Sequence, residues 1–107
     1  AVIAVTGIED YITDGERELT ISRGSNFLKT ISGSGCMTST LTGSFAALEE
    51  DIFLACVFGI LTMDLAGEIA EKRLLENEGA GMFKVRLFDA IYNMYRYDFK
   101  EGIEFGF

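Results

Sequence analysis

The stretch at residues 30–38, Thr-Ile-Ser-Gly-Ser-Gly-Cys-Met-Thr, constrains the fold more than any other part of the chain. It is typical of a strand end followed by a glycine-containing turn and then by a helix. Gly33 and Gly35 can adopt backbone angles closed to other residues, and the new helix presents unpaired N–H groups and the positive end of its dipole. The stretch therefore predicts an anion-binding site at the start of a helix.

Cys36 lies in the first turn of this predicted helix. The electric field at a helix N-terminus favours a thiolate, so Cys36 is a candidate reactive group. It could equally be a small residue that fills a tight helix start. The residues of the turn alone leave both interpretations open.

The composition narrows the classes of function. The chain has 107 residues, of which 49% are hydrophobic, as expected of one folded domain with a buried core. Lysine and arginine total 9 against 17 aspartates and glutamates, and the resulting net charge of -8 disfavours nucleic acid and anionic membranes as partners. Because the sequence has no histidine, proton transfer would have to use cysteine, aspartate or glutamate.

The cysteines and two of the aspartates have simple expected roles. Cys36 and Cys56 do not have the spacing of a zinc site, and a chain with a large apolar core predicts free thiols and a cytoplasmic location rather than a disulfide. Cys56 lies in an apolar segment and is expected to pack in the core. Asp10 and Asp14 flank a predicted hairpin turn, which favours turn hydrogen bonds over metal binding.

The first 21 residues predict a strand and a hairpin. Residues 1–5 are apolar without alternation, which is typical of a strand buried on both faces of a parallel sheet. Asp14 and Gly15 form a hairpin turn between residues 10–13 and 17–21, with Leu19 and Ile21 on one face. We expect this antiparallel hairpin to be appended to the buried sheet.

Two helices are predicted after the hairpin. The first covers residues 36–48, and its large apolar residues share one face: Met37, Leu41, Phe45 and Leu48. The second covers residues 51–76, where Glu68 and Lys72 are spaced for an ion pair and Gly59 and Gly67 indicate close packing. Its apolar run at residues 52–63 is too short to cross a bilayer, which predicts a buried core helix.

Acidic residues at 49–51 precede the second predicted helix, and a third helix is predicted near the end of the chain. Three successive acids point in different directions, so they are expected to form a solvated acidic start of the second helix rather than a metal site. A third helix is predicted over residues 82–95, with a buried stripe of Phe83, Leu87, Ile91 and Met94 or Tyr95. Residues 97–107 receive no assignment.

A doubly buried strand with three helices predicts a three-layer α/β architecture. The parallel partners of that strand are missing from the chain. The chain also begins at Ala1, directly on the strand, and contains no proline. Together these features predict a piece of a longer protein.

Five motifs then carry a family resemblance. They are Val-Thr-Gly at residues 5–7, Asp-Tyr-Ile-Thr-Asp-Gly at 10–15, Leu-Lys-Thr-Ile-Ser-Gly-Ser-Gly-Cys at 28–36, Ala-Gly-Glu at 66–68 and Gly-Ala-Gly-Met-Phe at 79–83. In order and spacing, over residues 1–95, the chain resembles the C-terminal part of hydroxyethylthiazole kinase. The resemblance implies a ribokinase-like three-layer α/β/α sandwich, with residues 1–107 as the C-terminal ATP-binding part of one kinase domain.

The same resemblance implies an activity and partners. The family transfers the γ-phosphoryl group of ATP, with Mg²⁺, to the alcohol of 4-methyl-5-(2-hydroxyethyl)thiazole in thiamine biosynthesis and salvage. It works as a homotrimer with its sites between subunits. The missing N-terminal part of the protein would supply further substrate, ATP and magnesium contacts, so no metal ligand is expected in this chain.

By position, the resemblance assigns ATP contacts to Thr6 and Gly35 and a thiazole contact to Gly33. It puts Cys36 where most ribokinase-like enzymes have an aspartate base, which favours a role in accepting or orienting the proton of the attacking alcohol. Ser34 stands where the family more often has threonine, and this exchange keeps the hydroxyl group.

Two alternatives remain at this point. A related hydroxymethylpyrimidine kinase also carries a Gly-x-Gly-Cys turn, but that family usually has a histidine before the turn and this chain has none. A non-catalytic nucleotide-binding or assembly fragment would keep the anion-binding turn without the rest of an active site.

Overall fold

The computed structural model describes residues 1–7, 9–30 and 33–94. Over these residues the chain forms a small antiparallel sheet and three α-helices. The sheet has the order β1 (Ile3–Val5), β2 (Asp10–Thr13), β3 (Glu18–Ile21). A short 3₁₀ helix (Asn26–Thr30) leads to α1 (Ser34–Ala46), α2 (Ile52–Arg73) and α3 (Ala80–Tyr92). The unassigned segment at residues 97–107 lies outside the described residues.

The predicted hairpin is confirmed. β2 and β3 pair antiparallel, with Ile12 opposite Leu19. The Oδ1 atom of Asp14 accepts the backbone N–H groups of Glu16 at 3.0 Å and Arg17 at 2.7 Å, the turn chemistry expected of this aspartate. Gly15 has a φ of 97°, which a residue with a side chain rarely adopts.

β1 differs from its prediction. It pairs antiparallel with β2, and Ile3 and Val5 are 61% and 58% exposed. The prediction of a strand buried on both faces of a parallel sheet is therefore wrong for this chain. The physical reason is that burial of both faces requires layers packed over the strand, and among the described elements only β2, its neighbour in the sheet, is in extensive contact with β1.

α2 is the central element. Asp51 precedes it and accepts the backbone N–H of Phe53 at 3.1 Å, which confirms the helix-start interpretation of the acidic triplet. A Cβ atom at Gly59 would lie 2.7 Å from the Cα of Thr42, and one at Gly67 would lie 3.0 Å from the Leu28 side chain. Both glycines therefore permit close packing, as predicted.

α2 has 22 residues, more than the 12-residue run in the sequence, and by length and composition it could cross a membrane. Within the structure, however, 61% of its most apolar segment is buried. This burial is typical of a core helix, as predicted.

α2 contributes to two hydrophobic clusters. The first joins it to the hairpin through Ile12, Ile21, Phe53, Val57, Ile60 and Leu61. The second joins it to α3 through Met63, Ala66, Ala70, Phe83, Leu87, Ala90 and Met94. Phe83 and Leu87 lie on the buried stripe predicted for the last helix, whereas Tyr95 lies outside the described residues.

α1 begins two residues before its predicted start and ends at Ala46. Met37, Leu41 and Phe45 are partly buried, as expected for the packed face. Leu48 is 88% exposed, so its assignment to that face is wrong. The reason is that the helix ends before Leu48 and the periodicity no longer applies.

Candidate functional site

A cleft of about 240 Å³ opens where the loops after β1 and β3 meet α1 and α2. Its lining includes Thr6 from the first loop, Lys29 from the 3₁₀ helix and Gly35 from the start of α1. Thr6 and Gly35 are far apart in sequence, and the fold brings them to one cleft. The two residues with predicted ATP contacts are therefore neighbours of the same space.

The start of α1 has the predicted turn at Gly33, but two details of the prediction are wrong: Thr30 ends a 3₁₀ helix rather than a strand, and Gly35 does not have a positive φ. Gly33 is the N-cap residue with φ 87° and ψ 5°, a left-handed conformation that favours glycine. The carbonyl of Gly33 accepts the N–H of Met37 at 2.9 Å, which begins the helical pattern. Within the described chain no side chain caps this helix. The N–H groups of residues 34–36 therefore remain available to an anion.

A second groove of about 470 Å³ adjoins the cleft. Thr6, Gly35 and Thr38 line both, and Cys56 lines the groove. Thr6 and Gly35 thus lie at the junction of two open spaces.

Gly33 and Cys36 are exposed at the same turn but are not among the described residues that line the cleft or the groove. Both cysteines are free thiols, as predicted. Cys56 is partly buried against the hairpin cluster, and this burial raises the pKa of its thiol. Of the two, Cys36 is the more exposed, whereas Cys56 is partly buried and lines the groove.

Arg23 and Glu68 form a bidentate ion pair at one wall of the cleft. The guanidinium donates to both carboxylate oxygens at 2.7 Å, and the backbone N–H of Gly24 donates to Glu68 at 2.8 Å. Burial raises the pKa of Glu68, but these hydrogen bonds outweigh burial and the pKa is lowered. Lys72 acts on the same carboxylate through its charge, as its spacing predicted, whereas the hydrogen-bonded partner is Arg23, which the loop after β3 brings to Glu68 with two parallel donors.

Asp10 and Asp64 form a buried acid pair in the cleft. They are 3% and 7% exposed, and their side chains share a hydrogen bond. Burial, together with the hydrogen bond to Asp10, raises the pKa of Asp64 to about 9. Asp10 also accepts the N–H of Gly7 at 3.2 Å. Asp64 therefore keeps its proton at neutral pH and can share it with Asp10 through their hydrogen bond.

One carboxyl oxygen of the acid pair makes no hydrogen bond within the described chain. Oδ2 of Asp64 is buried and has no hydrogen-bond partner there. Gly24 makes room for the carboxyl group, since a Cβ atom at this position would lie 2.9 Å from Oδ1 of Asp64, and its φ of 116° also favours glycine.

Sequence reasoning missed Asp64. The signal was available, because Asp64 is the first acid after the apolar run at residues 52–63 and the helix was expected to be buried there. A buried aspartate requires either a partner or a proton, and this requirement could have marked it as a candidate site residue.

The described residues do not contain a group of three or more acidic, histidine or cysteine side chains that could hold a metal ion. The acid pair shares a proton and offers only two side chains. The part of the chain that the structure describes therefore does not fit a resident magnesium site by itself.

Comparisons with known proteins agree on one family. A model of the hydroxyethylthiazole kinase family matches residues 1–96. The hydroxyethylthiazole kinase of Roseiflexus sp. strain RS-1 is 46% identical over 93 residues, which cover 87% of this chain and 33% of that protein. That of Alkaliphilus metalliredigens strain QYMF is 40% identical over 100 residues, which cover 94% of this chain and 37% of that protein.

A solved structure gives the same result. The hydroxyethylthiazole kinase protein from Pyrococcus horikoshii OT3 superposes with a TM-score of 0.76 and 34% sequence identity, over 87% of this chain and 35% of that one. The chain spans about a third of the length of the curated relatives that it matches.

Proposed function

The chain belongs to the hydroxyethylthiazole kinase family, and from this premise we propose that it forms the C-terminal, nucleotide-binding part of a kinase. The enzyme transfers the γ-phosphoryl group of ATP to the hydroxyl group of 4-methyl-5-(2-hydroxyethyl)thiazole, a step of thiamine biosynthesis and salvage. The observation that carries this proposal is the meeting of Thr6 and Gly35 in one cleft beside the uncapped start of α1.

Phosphoryl transfer depends on positioning the reactants and on neutralising charge on the phosphoryl oxygens. We assign this work to the Thr6 hydroxyl and to the N–H groups at the start of α1. Lys29 lines the same cleft and supplies a positive charge for the phosphates. ATP therefore fits the donors that this chain presents, although the acidic end of the cleft does not suit a phosphate.

Cys36 is the proposed proton acceptor for the attacking alcohol, and Gly33 is the proposed thiazole contact. Both are exposed at the turn and neither lines the cleft or the groove. This supports an arrangement in which the alcohol approaches the turn from a different side than the nucleotide. The thiol then lies in the first turn of α1, next to the N–H groups that hold the phosphoryl group.

The remaining expectations belong to the whole enzyme. Mg²⁺ would neutralise phosphate charge, and its protein ligands would come from outside the described part of this chain. A three-layer α/β/α sandwich is supported by the open edge of β1, which has hydrogen-bonding capacity for a further strand. We also propose a cytoplasmic homotrimer with sites between subunits, on the grounds of family membership.

The test uses the full-length protein that contains these 107 residues. ATP, Mg²⁺ and the thiazole alcohol should give ADP and the thiazole phosphate in equal amounts. ADP formation that does not depend on the alcohol, or phosphorylation of hydroxymethylpyrimidine instead, would contradict the proposal. Nucleotide binding without turnover would favour a non-catalytic nucleotide-binding or assembly role.

Cys36→Ala and Cys36→Ser test the proton acceptor. If the thiol accepts the proton, we expect kcat of the alanine variant to fall about 100-fold or more, in the range typical of a lost general base. The Cys36→Asp variant should recover part of the rate, because a carboxylate can accept the same proton. A full rate in the alanine variant would remove Cys36 from the mechanism.

A further inference from the structure

The acid pair in the cleft has no role in binding phosphate, so its presence there requires another explanation. Oδ2 of Asp64 is buried and has no partner among the described residues, whereas the side chain lines a space large enough for a ligand. A buried polar atom without a partner destabilises the folded protein, because it has lost its hydrogen bonds to water. A ligand that donates a hydrogen bond to this oxygen would relieve this destabilisation.

The surroundings of Asp64 define the chemistry of such a ligand. Leu28, Ile60 and Met63 line the same cleft and form apolar walls beside the carboxyl group. This end of the cleft does not suit a phosphate, because Asp64 is neutral and buried and the nearby Glu68 is anionic. Apolar walls with one acceptor suit a flat heteroaromatic ring that carries an amino group.

We propose that Asp64 recognises the exocyclic amino group of the adenine base, with its Oδ2 atom as the hydrogen-bond acceptor. The ring of the base then packs against Leu28 and Met63, while the phosphates reach Thr6 and Gly35. This inference rests on the proposed kinase function and makes Asp64 a specificity-determining residue of that site.

The hydrogen bond between Asp64 and Asp10 prepares the acceptor. It orients the Asp64 carboxyl group and uses the carboxyl proton for the bond to Asp10. The Oδ2 atom is then free to accept a hydrogen bond from a ligand. Gly24 stands beside Oδ1 without a side chain, which leaves the carboxyl group in place. An amide at position 64 could make the same two hydrogen bonds, since its N–H₂ group donates to Asp10 and its oxygen accepts from the base.

The experiment compares ATP with purine riboside triphosphate, which has the same ring without the amino group. In the full-length protein, kcat/KM should favour ATP by about 10-fold, the value of one buried hydrogen bond. The Asp64→Leu variant should lose this preference, and Asp64→Asn should retain most of it. Asp89→Leu, an exposed aspartate of α3, is the matched control and should keep the wild-type preference.

Binding of ADP and purine riboside diphosphate, measured by calorimetry, gives the same comparison without turnover. If Asp64→Leu does not fold, Asp64→Ala removes the acceptor without adding bulk. Equal use of the two nucleotides by the wild type, or a preference that survives in the leucine or alanine variant, would overturn the inference. An Asp64-dependent preference in binding, with no phosphorylation of the thiazole alcohol, would instead overturn the kinase and leave the recognition of the base standing.

Discussion

Two pairs of aspartates lie where the hairpin contacts α2, and the repulsion between the two carboxyl groups is relieved differently in each pair. Asp14 and Asp51 lie at the start of α2, where Arg17 bonds both carboxylates at 2.8 and 2.6 Å. Asp10 and Asp64 lie deeper, at the cleft, and are bonded to each other. The first pair is joined by a cation and the second by a proton.

The pKa values follow from this difference. Hydrogen bonds from the backbone N–H groups of Arg17 and Glu16, and from the Arg17 side chain, lower the pKa of Asp14 to about 2. Burial and a neighbouring carboxyl raise the pKa of Asp64 to about 9. An aspartate therefore stabilises the hairpin where it is exposed and hydrogen-bonded to a cation. At the buried site, desolvation and a second carboxyl group outweigh the charge of Arg23, and the ionised form of Asp64 is disfavoured.

The largest expected effect concerns the buried pair. Asp64→Asn should stabilise the full-length protein at pH 7 by about 2–4 kcal/mol, because each unit of raised pKa costs about 1.4 kcal/mol once the pH exceeds the unfolded value. Urea denaturation measures the change. An unchanged or lower free energy of unfolding would mean that Asp64 is not held protonated.

The raised pKa of Asp64 makes the stability of the protein depend on pH. Asp64 is faced by Asp10 and Glu68, which raise its pKa, and by Arg23, which lowers it. Because folding raises the pKa from 3.8 to about 9, the native protein binds more protons than the unfolded chain in that interval. The stabilisation from protonated Asp64 is complete below pH 3.8 and is lost as the pH rises to about 9. Asp64→Asn should remove this part of the slope.

The next largest expected change in stability concerns the packing of α2 against α1 at Gly59. Gly59 lies on α2 between Asp51 and Asp64, against the backbone of Thr42 in α1. Gly59→Ala should destabilise by about 1–3 kcal/mol, since its Cβ atom meets backbone that cannot rotate away. Gly43→Ala is the matched control in α1, where a Cβ atom meets nothing within 4 Å, and helix propensity predicts a small gain. Equal effects would contradict close helix packing at Gly59.

A third test removes the cation beside the buried pair. Arg23→Met leaves Glu68 with the Gly24 N–H but without its guanidinium, and we expect a loss of about 1–2 kcal/mol that is smaller below pH 4. Glu68→Gln, which keeps an acceptor for Arg23, is the comparison. A loss that does not depend on pH would show that the arginine stem, not the charge, stabilises this wall.

The exposed pair should give the smallest effect. Arg17→Met removes two ion pairs and a cation placed 4.5 Å from the Phe53 ring, but its side chain is 48% exposed. We expect a small fall in Tm that nearly disappears at about 0.5 M salt, because exposed charges are screened. A fall in Tm that does not depend on salt and exceeds that of Arg23→Met would mean that the Arg17 ion pairs stabilise the protein more than the Arg23–Glu68 ion pair.

Local patterns predicted much of the fold. The Asp14-Gly15 turn, the buried stripe of the last helix, the packing glycines of α2 and the left-handed turn at Gly33 all follow from neighbours in sequence. Each depends on periodicity or on a backbone angle that few residues adopt, and both can be read from a short stretch.

The missed features depend on distant residues. The β1 prediction was wrong because burial of a strand requires partners that a local apolar run does not identify. Asp64 itself could have been marked as a buried acid, but its partner Asp10 comes from the hairpin and could not be predicted from neighbours in sequence. In the same way, Lys72 was expected beside Glu68, but the hydrogen-bonded partner Arg23 comes from a loop 45 residues away. Within the candidate site, the turn was predictable from the sequence, whereas the acid pair was not.

The open edge of β1 has a consequence for handling the chain in isolation. An apolar edge strand with unpaired N–H and C=O groups is a template for other strands. Among residues 1–7, 9–30 and 33–94 no strand pairs with the outer edge of β1, so self-association of a preparation of only these 107 residues should rise with concentration. A polar substitution such as Val5→Lys should suppress it and would make the separate chain easier to keep in solution.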